Sequence, residues 1–505
     1  MTEPAGPEVI AARAAATRVV VIGGGIGGLI AARECVKVGM RVTVLEAADA
    51  LGGAIRRTDL DGVRVDIGAE SFATRGGHVR GLLTELGLAD RIVAPTAGGA
   101  WLAGIPGVGA APLPVGGILG IPANPFQDDV RRIIGWSGAW RAYLDRVRPP
   151  LTIGHQHSLG RLVSSRMGMK VRDRLVAPVT TGVYSASPED VDVDVAAPGL
   201  NAALTRAGSL AGAVQVLRDE GAARAAKAPG AAVEGIEGGM SVLVDALEAE
   251  LLRLGAIVRT NARARSVSRA GEAWLVEADV EPDDTADVAT DDELAEAVVL
   301  TEEIEADAVI LATDEAIARR LLDPLVPGLA ASAAASSAPE IEIVTLLLDA
   351  PALDAAPRGT GVLTVPGSHT AKALTHSTAK WGWLREAAGV RHLVRVSFGA
   401  QGEPPATATL DDEAAAVLAL SEASALLGAT IPRTALVAAH RSRFVQSQPA
   451  SIIGVGERRA AARAAVRAVP GLAVVGAWVA GTGLAQVIPD AKDEADRLRR
   501  ALIWD

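Results

Sequence analysis

Arg18 to Ile22 is an apolar run without alternation, the pattern of a parallel strand covered on both faces. A glycine cluster follows, and Leu29 to Val38 reads as a helix that stops at Gly39. Arg41 to Glu46 reads as a second strand, which completes a strand–helix–strand unit of about 30 residues. Similar order returns late in the chain. Ser241 is the expected N-cap of a helix with Leu243, Leu247 and Leu251 on one stripe and Gly255 at its end. Strands are expected over 256–260, 264–268, 273–278 and 307–312. A second sheet is expected from 340–349, 362–365 and 392–399, then a last buried strand at 473–476 and a closing helix at 490–502. The region 97–235 lacks this regularity and reads as an insertion with helices near 128–146 and 158–177. Residues 1–16 read as a disordered leader. Segment 279–305 reads as a solvated acidic loop, because no Lys or Arg occurs from Ala270 to Ala318.

Composition narrows the classes. Hydrophobic residues are 49% of the 505 and aromatic ones only 3%, so the core must be mostly aliphatic. A net charge of −11 works against nucleic acid as a partner. Cys35 is the lone cysteine, so no intrachain disulfide forms. No signal peptide and no apolar stretch of about 18 residues is seen, which points to a cytoplasmic protein. His155 and His157 have no ligand pattern around them, so no metal is expected.

The glycine cluster carries chemistry. Gly23, Gly25 and Gly28 form GxGxxG directly after the first strand. The first permits a tight turn, the second lets backbone approach a pyrophosphate, and the third lets helix pack on strand. Free N–H groups at the helix start favour the diphosphate. Glu46 ends the second strand, where a carboxylate accepts the adenosine ribose hydroxyls and repels a 2′-phosphate. Gly52 and Gly53, with Arg56 and Arg57 after them, extend the close approach toward FAD rather than NAD. Near the other end, Gly476 and then Gly483, Leu484 and Ala485 form a glycine-rich turn before a helix, placed to face the flavin pyrimidine ring.

With these pieces in place, the chain resembles the flavin amine oxidase superfamily and, within it, the oxygen-dependent coproporphyrinogen III and protoporphyrinogen oxidases of haem biosynthesis. The resemblance rests on Gly52–Arg56, Asp66–Phe72, Pro178–Ala186, Glu237–Ser241, and Ala371–Thr375 with Lys380-Trp381 after it. It covers about 17–500. Ala69 stands where that family commonly has Pro. Phe444 replaces Trp in the stretch Arg443–Pro449, and the family's following motif is absent.

The resemblance implies an α/β fold. A Rossmann-like FAD domain of the glutathione-reductase type is assembled from 17–96, 236–335 and 443–505. A mixed-sheet substrate domain takes 97–127 and 336–442. A helical domain over 128–235 rests on a membrane surface. The resemblance also carries cofactor contacts to Gly24, Ile26, Gly27, Ala47, Ala54, Gly68, Ala69, Glu70, Ser71, Val267, Phe444, Val487 and Ile488. It implies six-electron oxidation of a porphyrinogen by O2 with H2O2 release. Coproporphyrinogen III is the expected substrate; protoporphyrinogen IX and another amine-oxidase-type substrate are the alternatives. A ferrochelatase is the expected receiver of product, and a non-catalytic flavoprotein scaffold for it is the reading of a different class. Flavin supplies the electronics, so no protein nucleophile is needed. Four propionates require cations: Arg75, Lys372 and Lys380 are the candidates, with His376 for proton transfer and Tyr184 as cavity wall. The stretches Ile118–Ile121 and Ile133–Trp140 are expected to offer an apolar surface.

Overall fold

The computed structural model describes residues 6–147, 156–222, 233–280, 300–330, 338–445 and 451–504. Five parallel strands form the nucleotide sheet, in the order Ile257–Arg259, Arg41–Leu45, Arg18–Ile22, Ala308–Leu311, Leu472–Val474. Strand alternation divides the apolar runs between two layers. Val19, Val21, Val42, Val44 and Ile310 pack on helices Ile26–Val36, Ser241–Arg253 and Leu484–Ile503. Val20, Ile22, Val309 and Leu311 pack on an antiparallel three-stranded layer, Ala262–Ala270, Ala273–Val280 and Leu300–Ala306. Burial on both faces is why those strands read as uninterrupted apolar runs.

The second sheet has seven strands, in the order Leu436–Val445, Glu340–Leu348, His392–Phe398, Ala373–His376, Gly361–Thr364, Ala100–Ile105, Gly109–Pro112. Helix Asp412–Leu427, capped by Asp411 on the Ala414 amide, covers one face through Val344, Leu346, Val394, Val396 and Phe398. The opposite face carries Arg395, Ser397, Ala373, Thr375, Ser442 and Phe444 in register and turns toward the nucleotide lobe. A helical lobe with its own aliphatic core is built on Asp128–Tyr143, Leu159–Met167, Ala177–Tyr184 and Leu200–Ala222 segments.

Several expectations change. Residues Pro7–Ala16, expected to be disordered, form a helix started by proline at its first position. Ala14 is buried, and Arg13 Nη1 donates to the Ile503 carbonyl at 3.0 Å. The first glycine-loop helix starts at Ile26, three residues early, because glycines that are poor helix formers alone are fixed by packing. Ser241 is the first helical residue, and its predecessor Met240 is the cap. In place of a serine cap, Asp66 reaches across from another strand and accepts the Met240 amide at 2.8 Å. The acidic loop is shorter than expected: Leu300–Ala306 is a strand with charged residues on its open face, and residues 281–299 lie outside the described residues. Strand Leu436–Val445 runs through the expected boundary at 443 and keeps Phe444 in the second sheet. Pro489 falls in the second turn of a helix that begins at Leu484, earlier than 490.

Candidate active site

Glycine geometry builds the cofactor cradle from both ends of the chain. Gly23 has φ 108°, and a Cβ on Gly28 would lie 2.0 Å from the Gly23 carbonyl oxygen, so helix and strand touch only because both are glycine. A Cβ on Gly27 would sit 2.9 Å from the Gly476 Cα, which ties the N-terminal loop to the C-terminal one. Gly25 pairs with Gly52 in an isolated bridge, and a Cβ on Gly25 meets nothing closer than 4.0 Å. That open side, above helix amides with no side-chain cap, fits a pyrophosphate. Helix Leu484–Ile503 likewise starts without a side-chain cap, at Gly483 with φ 111° and open space beside it. Val487 and Ile488 are buried beneath that turn, with Leu484 and Ala485 partly buried.

Glu46 accepts the Gly24 amide at 2.7 Å and the Ala48 amide at 2.8 Å. Its two oxygens are thus oriented by the loop and keep lone pairs for a ribose. Arg56 Nε donates to the Gly53 carbonyl at 3.1 Å and is otherwise exposed, free to reach phosphate. Ala47 is exposed beside Glu46. Gly68 tolerates no side chain, since a Cβ would lie 2.0 Å from the Ala54 carbonyl oxygen, and the Ala69 amide donates to that same oxygen. Val267 lies in the core with Leu45 and Trp478.

The next residues of that loop depart from expectation. Glu70, expected at the cofactor, is held by Lys380 Nζ at 2.5 Å, Arg395 at 3.0 Å and the Ser377 hydroxyl at 3.0 Å. Burial alone would raise its pKa; the two cations override that and lower it to about 2. Arg395 also donates to the carbonyls of Ile67 and Gly68. It therefore clamps the loop to the second sheet, and Ser71 follows directly. Lys380, expected to meet substrate, spends its charge on Glu70 instead. The sequence reading missed Arg395. The available signal was a charged residue flanked by valines in the run Leu393–Val396.

His376 is buried on the sheet face opposite Arg395, because strand alternation puts Thr375 on the facing side. Its Nε2 lies 3.1 Å from His392 Nδ1, and burial, then His392 and Arg385, lower its pKa to about 4. This position removes it from proton transfer at the facing side. Arg75 is exposed, and Tyr184 is half-buried with the Arg75 guanidinium near enough to oppose the burial that raises the phenol's pKa. Those two candidates, from separate lobes, come together. Lys372 is 9% exposed, not a solvated strand end, and donates to Ser185 Oγ at 2.6 Å.

Trp381 is buried as packing against Gly235. The apolar stretches divide: Ile121, Ile133 and Ile134 are internal, whereas Trp136, Trp140 and Tyr143 are exposed beside Phe126. A break at Gly135, φ 70°, separates the buried isoleucines from the tryptophans. His157 has acquired neighbours the sequence did not suggest, Asp192 and Asp194. Both carboxylates are engaged locally, on the Asp194 amide and on Asn201. His155 and the segment 446–449 lie outside the described residues.

A glycine cradle joined from both chain ends, with a second sheet facing it, has the frame of a flavin-dependent oxidoreductase. The profile described as flavin containing amine oxidoreductase matches residues 26–499, and the chain belongs to that family; its cofactor is FAD. The chain is 31% identical over 473 residues to the coproporphyrinogen III oxidase of Mycobacterium bovis, covering 92% of this chain and 93% of that one. The Mycobacterium leprae protein of the same name is 30% identical over 476 residues, with 93% and 96% covered. A solved structure from Exiguobacterium sp. 255-15, described as a protoporphyrinogen oxidase, matches with TM-score 0.79 at 22% identity over 96% of this chain and 98% of that one. Among the described residues no helix is long and apolar enough to cross a membrane.

Proposed function

We propose that the protein oxidises coproporphyrinogen III to coproporphyrin III by six electrons, consuming three molecules of O2 and releasing three of H2O2. The likeness to relatives of that name along nearly the whole chain carries the reading. Bound FAD supplies the hydride acceptor and the route to O2. The cradle glycines, Glu46 and Arg56 hold its adenine nucleotide half; Gly68 to Ser71, Phe444 and the Gly483–Ile488 turn hold its ring. Glu70, clamped by Lys380 and Arg395, fixes the loop that fronts that ring. Arg75 and Tyr184 orient the macrocycle from opposite lobes. Positioning of this kind is the main contribution a protein makes when its cofactor carries the electronics.

The enzyme works at the cytoplasmic face of a membrane, where it passes product to a ferrochelatase. Trp136, Trp140, Leu144 and Val147 support the membrane contact, each more than half exposed, with Arg131 4.4 Å from the Trp136 ring and Arg146 5.5 Å from the Tyr143 ring. Aromatic rings mixed with arginine suit an anionic lipid surface despite the acidic chain.

Purified holoenzyme should turn over coproporphyrinogen III faster than protoporphyrinogen IX, with one peroxide per O2 consumed. Faster turnover of protoporphyrinogen IX selects the alternative substrate. No turnover of either porphyrinogen favours another amine-oxidase-type substrate, and bound flavin that forms no peroxide with any such substrate fits a carrier or scaffold role.

A further inference from the structure

Three lobes meet beside Tyr184. The loop bearing Arg75 comes from the nucleotide lobe, the Ala177–Tyr184 helix from the helical lobe, and the start of strand Ala373–His376 from the second sheet. The contact is close: a Cβ on Gly182 would lie 2.5 Å from Leu363 and 3.8 Å from the Lys372 carbonyl oxygen. Ser185 ends the helix in a left-handed conformation, φ 56°, which a serine adopts only when its surroundings impose it. In that conformation its Oγ accepts Lys372 Nζ, and its carbonyl accepts the Gln401 amide.

Among the described residues, Lys372 is thus more than nine-tenths buried, with the Ser185 hydroxyl as its side-chain partner and no ion pair. Lys380, eight positions on, shows what a satisfied buried lysine looks like in this chain: it has Glu70. A buried ammonium without an anion is costly unless a ligand supplies one. The amine is drawn down to about 7 by burial alone, consistent with a site that contributes no anion of its own.

We propose that Lys372 receives a propionate carboxylate of the porphyrinogen, one that coproporphyrinogen III has and protoporphyrinogen IX replaces with a vinyl group, and so sets the choice between them. This rests on the porphyrinogen reading above. Arg75 is exposed and its charge is screened by water, so it discriminates weakly. A desolvated partner rejects an analogue that lacks the matching group far more strongly. Ser185 holds the ammonium in place before substrate arrives.

The test compares wild type, Lys372→Met, Lys372→Gln and Ser185→Ala as holoenzymes, with flavin content measured for each. Two quantities are read: kcat/KM for both porphyrinogens, and binding of coproporphyrin III against protoporphyrin IX by fluorescence quenching. Lys372→Met and Lys372→Gln should lower kcat/KM for coproporphyrinogen III by about tenfold or more, and that for protoporphyrinogen IX by less than about threefold. Ser185→Ala should fall between. Equal losses on both substrates, or an unchanged ratio, overturn the assignment. If wild type oxidises neither porphyrinogen, the functional reading fails, and the binding ratio still decides the role of Lys372: selectivity for coproporphyrin III lost in Lys372→Met upholds it, and selectivity retained overturns it.

Discussion

Lys372 and Lys380 belong to one short stretch of a lysine-poor chain, and both are withdrawn from water. Their surroundings differ in kind. Lys380 closes a network with Glu70, Arg395 and Ser377 that joins the flavin-facing loop to the second sheet. Among the described residues, Lys372 has a serine hydroxyl and no anion. The difference shows that burial of a charge has two resolutions: a partner built into the fold, or a place left for one that arrives with the ligand. The first makes structure; the second makes specificity.

The largest expected effect lies in stability. Lys380→Met removes one of the two cations that hold the Glu70 carboxylate and should cost about 2 kcal/mol by chemical denaturation, with weakened flavin retention because the Gly68–Ser71 loop loosens. Lys372→Met strands no charge, only the neutral Ser185 hydroxyl, and should stay within about 1 kcal/mol of wild type. Equal costs would erase the contrast. The double variant Glu70→Gln/Lys380→Met should recover part of the loss, since a neutral amide needs no second cation.

Next in size is the dependence on pH. The Glu70 carboxyl is held at about 2, below its ordinary 4.5, so its contribution is complete above pH 4.5 and is lost as pH falls toward 2. Lys372 works in the opposite range. Its amine sits at about 7 against an ordinary 10.5, so the unfolded chain binds more protons between those values and stability rises with pH there. Denaturation curves across pH should show both slopes in wild type, and Lys372→Met should lose the alkaline one alone.

Effects away from this pair should be separable from it. Glu46→Ala should weaken FAD retention by about tenfold, roughly 1.4 kcal/mol, measured by flavin release, and leave the ratio between the two porphyrinogens unchanged. Arg75→Ala is expected to be mildest: KM for coproporphyrinogen III rises by about threefold with flavin content unaltered, as suits an exposed cation.

The cradle was legible in the sequence because its requirements are local. Gly23, Gly25 and Gly28 follow an apolar strand at fixed spacing; Gly23 and Gly28 answer backbone demands that only glycine meets, and Gly25 leaves open the side where a pyrophosphate fits. The strands of the nucleotide sheet were legible for a related reason, since burial on both faces leaves an unbroken apolar run. The charged seam was not. Lys380 and Glu70 are both visible as charges, but their pairing spans 310 positions, and no local pattern encodes it. His376 went wrong through strand phase: one position earlier and it would have faced the nucleotide lobe with Arg395.

The sequence by itself determined that this chain folds a dinucleotide strand–helix–strand unit and completes it from its far end, since turn geometry and apolar period are properties of neighbouring residues. Tertiary structure alone decided which charges are spent inside the protein and which remain for a ligand. Electrostatic partners are chosen by distance in space, and the chain brings Glu70, Lys380 and Arg395 together, and leaves Lys372 with Ser185, only after its lobes have packed.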